Sequence, residues 1–82
     1  MTEHERDQEL LALLHPIGRA RLEGMVEEFI RTELPAETPI WLREAADMFE
    51  DSGAKYPPPE PERLTGLLFA AALRERAAAL LH

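Results

Sequence analysis

Residues 61–82 read PERLTGLLFAAALRERAAALLH, and how this stretch folds decides the architecture. Pro61 suits the first turn of a helix, where its missing N–H would have had no partner anyway. A helical wheel then places Leu64, Leu67, Leu68, Ala71 and Ala78 on one face. Gly66, Ala70, Leu73 and Ala77 fall on a second. Only Glu62, Arg63, Thr65, Arg74, Glu75 and Arg76 interrupt the apolar surface. A helix apolar on two sides needs two partners. One is expected to be its own bundle. The other is expected to be a second copy of the chain, because small residues at i, i+4 let helices approach closely. The expected self-association surface is Gly66, Phe69, Ala70, Leu73 and Ala77. The run Leu67–Leu73 is stopped by Arg74-Glu75-Arg76, far short of the ~20 apolar residues of a membrane span.

Upstream lies KYPPPEPE, residues 55–62, with the only lysine, the only tyrosine and four of the seven prolines. Such a run cannot be helical and favours polyproline II. Lys55-x-x-Pro58-x-x-Pro61 formally fits a PxxP ligand with a basic anchor. The simpler reading is a stiff spacer that holds the third and fourth helices apart. Tyr56 is expected to pack back onto the bundle or to meet a partner.

Further upstream, three more helices are expected. Thr38 is an N-cap with Pro39 in the first turn. Trp41, Leu42, Ala45, Met48 and Phe49 line one side of the helix that follows; Glu44, Asp47, Glu50 and Asp51 line the other. Ser52-Gly53 reads as its stop. The second helix runs from about Pro16 to Glu33 and is broken by Leu34-Pro35. Leu22, Met25, Val26, Phe29 and Ile30 give it one stripe at helical period. The first opens on the capping box Thr2-Glu3-His4-Glu5 and ends or kinks before Pro16.

Composition agrees with these patterns. Ala, Leu, Glu and Arg dominate, all good helix formers, and Val26 is the only valine. β-Branched residues, which strands favour, are scarce. The expected fold is all-α: one domain over residues 1–82, a small bundle of three to four helices, with a Pro-rich connection before a long apolar C-terminal helix. With 82 residues, folding hides only about 60–65% of the unfolded chain's surface. Cysteine is absent, which excludes disulfides, thiol catalysis and cysteine-ligated zinc. A homodimer is the remaining way to support so thin a core.

The formal net charge is −7, and such a surface repels nucleic-acid phosphates and anionic lipid alike. Direct nucleic-acid or membrane binding is therefore not expected. The N-terminus MTEHERDQ has neither the basic nor the apolar region of a signal peptide, so a cytoplasmic protein is expected. Charge is uneven along the chain. Residues 35–51 hold Glu37, Glu44, Asp47, Glu50 and Asp51 against Arg43, while residues 62–82 carry a slight positive excess. The acidic third helix and the basic fourth could pair head to tail between chains, although two solvated faces are the simpler expectation.

Catalytic machinery is hard to assemble from these residues. His4, His15 and His82 fit neither the Glu-x-x-His pattern of di-iron bundles nor His-Glu-x-x-His. No metal or other cofactor is expected. Ser52 is the only serine and has no histidine near it in sequence, so no triad can be built. Glu44, Asp47 and Asp51 share a face, but it is the solvent side, so a solvated charged face is expected there rather than a pair of acid–base carboxylates. The expected function is a small acidic, non-enzymatic protein–protein interaction module: an adaptor, inhibitor or accessory subunit, self-associating through its C-terminal helix. Trp41, Glu44, Asp47 and Tyr56 are the expected partner-binding residues, since tryptophan and tyrosine are enriched at hot spots. An acidic mimic that occupies a DNA- or RNA-binding protein is the alternative. A small enzyme with an unrecognised site is a second.

Overall fold

A computed structural model describes residues 1–55 and 61–81. The fold is all-helical, with four helices and no strand among the described residues: α1 Glu3–Ala12, α2 Pro16–Glu33, α3 Pro39–Ala54 and α4 Pro61–Ala79. Local chemistry explains each start. The Thr2 hydroxyl accepts from the Glu5 amide at 3.1 Å, which opens α1. The Thr38 hydroxyl accepts from the Trp41 amide and opens α3, with Pro39 behind it. At α2 the cap is His15, whose Nδ1 accepts from the Ile17 amide at 3.3 Å. His15 is extended, as a residue before proline must be. The α1–α2 join is thus a true break at His15, not a kink.

The helix α4 is the hub. It packs against α1, α2 and, most extensively, α3. Five consecutive residues, Phe69 to Leu73, are buried, which is possible only for a helix covered on every side. One core draws on all four helices through Leu11, Val26, Leu42 and Leu73. Phe29, Phe49 and Phe69 join α2, α3 and α4 in an aromatic cluster. Phe29 meets the other two edge-on, at 5.1 and 5.8 Å, and Phe49 lies 4.4 Å from Phe69. Edge-to-face geometry sets positive ring edges against negative ring faces.

Several expectations are corrected here. Gly66, Phe69, Ala70, Leu73 and Ala77 face the chain's own core; Ala70, Leu73 and Ala77 have no solvent exposure at all. The small-residue stripe does bring two helices close, but both belong to this chain. Gly66 rests against Gly53 of α3, so nearly that a methyl group on Gly66 would lie 2.7 Å from the Phe49 carbonyl oxygen. Ser52-Gly53 does stand at the end of α3, which closes at Ala54, and Gly53 also serves the crossing, where there is little room for a side chain. The helices α3 and α4 are thus in direct contact at this crossing. Residues 56–60, including Tyr56 and the proline run, lie outside the described residues.

Candidate functional site

The fourth helix carries Arg74-Glu75-Arg76 in the middle of its alanines, and each side chain reaches a different neighbour. Arg74 is nine-tenths buried and sits between α1 and α3. Its Nη1 lies 3.4 Å from both Asp7 carboxylate oxygens, and its Nη2 donates to Glu50 Oε1 at 3.1 Å. Glu3 approaches its Nε at 3.4 Å and Asp47 its Nη2 at 3.6 Å. Arg6 closes the group by donating to the same Glu50 oxygen at 2.6 Å. Glu75 accepts from Arg19 of α2 and from Gln8 of α1. Arg76 donates to Glu37 at 2.7 Å and also pairs with Glu27. Three adjacent charges therefore tie α4 to every other part of the bundle.

Asp7 is only 3% exposed, a burial that a carboxylate tolerates only with a partner. Partial burial alone would push the Glu50 carboxyl up. The Arg74 and Arg6 guanidiniums outweigh it and hold Glu50 below the ordinary glutamate value. Burial works against the Arg74 charge too, and Asp7, Glu50 and Glu3 more than offset it. The acids of α3 and the cations of α4 do attract each other, within the chain rather than between two copies. A polar cleft of about 380 Å³ opens beside this network, with Glu3, His4, Asp7, Arg43 and Asp47 among its walls. His4 is exposed, and Asp7 is already engaged by two arginines. The geometry suits clamping of helices. Among the described residues, no group of three or more His, Asp or Glu side chains is placed to hold a metal ion.

The outer side of α3 differs in character. There a groove of about 330 Å³ is lined by Glu33, Leu34, Trp41, Glu44, Ala45 and Met48. Trp41, Ala45 and Met48 recur at i, i+4 and i+7, which puts them on one helical face. Trp41 is 41% exposed and Met48 52%. Leu42 and Ala46 take the core-facing side of the helix, and the buried Ala45 lies between that side and the groove. Trp41 and Met48 lie off that side, next to Leu34 at the end of α2. Neither Glu33 nor Glu44 has an ion pair among the described residues.

Of the residues expected to bind a partner, the structure brings Trp41 and Glu44 together in this groove. Asp47 does not join them: it sits on the polar-cleft side and leans toward Arg74. Tyr56 lies outside the described residues. Leu34, Met48 and Glu33 complete the groove and were not expected in it. Met48 had the sequence pattern of a core residue, and Leu34 only that of a helix break. A second apolar groove, about 180 Å³, runs between α2 and α4 past Leu22, Met25 and Leu68.

No family model, no curated protein and no solved structure matches this chain. Its function is read from its own geometry. None of the four helices is long and apolar enough to cross a membrane, considering the described residues.

Proposed function

We propose that this protein is a small acidic, non-enzymatic interaction module, an adaptor, inhibitor or accessory subunit of a larger complex, that acts in the cytoplasm. One observation carries the reading. Trp41, the only tryptophan in the chain, is spent on the outer face of α3, beside Met48 and Leu34, and not on the core. A core this thin gains from every large side chain it can bury, since a buried side chain of this kind contributes about 1.5–3 kcal/mol. Leaving the largest outside is what a partner-binding surface requires, because tryptophan anchors are enriched at interaction hot spots. The reverse pattern holds inside, where ionisable groups are bound up in structural ion pairs.

The alternative, a nucleic-acid mimic, draws on the acids of residues 35–51. Glu37, Asp47 and Glu50 each face an arginine of this chain. That leaves Glu44 and Asp51, too few for a run of carboxylates imitating phosphates.

The test uses tagged wild-type and Trp41→Ala protein to isolate partners from the cells that make it. A protein held by wild type in stoichiometric amount and lost with Trp41→Ala supports the reading. Equal recovery by both removes Trp41 from the binding surface and the reading with it.

A further inference from the structure

The groove on α3 has a definite chemistry, and it selects among partners. Its floor is apolar: Leu34, Trp41, Ala45 and Met48. Its edges are acidic: Glu33 at the end of α2 and Glu44 on α3, both exposed and without ion pairs among the described residues. The one cation beside Glu44 in sequence, Arg43, lines the polar cleft and not this groove. From Trp41 to Met48 the floor covers eight residues of helix, a rise of about 10 Å or two turns. That matches an amphipathic helix presenting apolar anchors at i, i+3 or i+4, and i+7. The volume of about 330 Å³ sits at the low end of the ~300–1,000 Å³ typical of binding clefts.

Resting on the interaction reading above, we propose that the occupant is a cationic amphipathic helix of another protein, its apolar residues seated on Trp41 and Met48 and its lysines or arginines meeting Glu33 and Glu44. Charge complementarity argues for it. An acidic helix would set like charges against both edges, and like-charge juxtaposition suppresses wrong partners. A second copy of this chain would bring its own Glu33 and Glu44 to a symmetric contact, with the same repulsion.

The sole tryptophan makes the groove its own reporter. The probes are three synthetic peptides without tryptophan: an amphipathic Leu/Lys helix, the same pattern with Glu for Lys, and a scrambled Leu/Lys peptide. The Leu/Lys helix is expected to shift Trp41 emission to the blue saturably, and the Glu peptide to leave it unchanged. With a labelled peptide, Glu33→Gln/Glu44→Gln is expected to weaken binding on the order of fivefold, since each rim pair is modest, and the loss should shrink at high salt. Met48→Glu is expected to abolish binding while its circular dichroism stays that of wild type.

Equal binding of the scrambled peptide would mean diffuse charge attraction and would overturn the proposal. So would equal binding of the Glu peptide, although apolar docking, and the interaction reading, would then survive. If no peptide binds, the cationic helix is wrong, and the Trp41→Ala isolation still decides separately whether the groove binds a protein. A Trp41 emission that depends on protein concentration would name a second copy as the occupant, which also overturns the proposal.

Discussion

Replacing Gly66 by alanine is a simple change with a counter-intuitive expected result. Both Gly66 and Gly24 lie inside long helices, and both variants gain helix propensity of about 0.8–1 kcal/mol. Around Gly24 a new methyl group meets nothing within 4 Å. Gly24→Ala should therefore keep the gain and raise Tm by roughly 3–8 °C, at about 4–8 °C per kcal/mol for a domain of this size. At Gly66 the methyl would sit 2.7 Å from the Phe49 carbonyl oxygen and 3.0 Å from the Gly53 Cα, where ordinary contact begins at 3.4 Å. Both obstacles are backbone, so no rotamer change relieves them and α3 must move away from α4. That movement loosens Phe49 against Phe69 as well. Overpacking of this kind costs about 1–3 kcal/mol. With no side chain able to yield, the upper half of that range applies, and it exceeds the propensity gain by about 1–2 kcal/mol. The expected fall in Tm is roughly 5–15 °C. Thermal and urea unfolding, followed by circular dichroism and Trp41 fluorescence, measure both variants against wild type. A Gly66→Ala protein as stable as wild type, or more so, would show that the glycine crossing of α3 and α4 is not as drawn.

Two further outcomes follow from the packing of α4. Ala70→Glu would put an unpaired carboxylate into a fully closed core, at a cost of several kcal/mol; loss of the helical circular dichroism signal is expected. A variant that keeps the wild-type spectrum and changes only its hydrodynamic size would return Ala70 to an outer, self-associating face. The second outcome concerns pH. Because Glu50 is held below the ordinary value of 4.5 by Arg74 and Arg6, the unfolded state binds the proton first as pH falls. Its contribution is complete above about pH 4.5, shrinks below that, and is gone once the folded-state carboxyl is protonated too. The urea midpoint should drop between pH 5 and 3, and Glu50→Gln should drop less over that interval; parallel curves would deny Glu50 the role.

The helix starts were legible because their signals are local. Thr2, Pro16, Thr38-Pro39 and Pro61 act within one turn of chain, and each marks the start observed. The unread parts are those that depend on what lies opposite in space. Ser52-Gly53 marked the end of α3 within a residue, but not that α4 would pack on Gly53. Gly66, Ala70 and Ala77 announce a close helix neighbour, but the pattern is the same whether that neighbour is α3 of this chain or α4 of another. Arg74-Glu75-Arg76 read as interruptions because a charge inside an apolar helix has value only beside its partner. Asp7, 67 residues away, could not be matched to Arg74 by spacing. The groove was half legible. Trp41 and Glu44 stood out by type, whereas Leu34 and Met48 join them only where the end of α2 comes beside α3.

The internal pairing of charge bears on what the surface can attract. The chain holds nine lysines and arginines against sixteen acids. Arg6, Arg19, Arg74 and Arg76 are each engaged by two or more carboxylates of this chain, so these cations point inward toward helix junctions. Those pairs take up carboxylates as well as cations, so the acidity of the groove rests on its own edges: Glu33 and Glu44 flank it with no ion pair among the described residues. A potential of that sign steers a cationic partner toward the groove before contact, while the exposed Trp41 and Met48 supply the apolar contact that charge alone lacks.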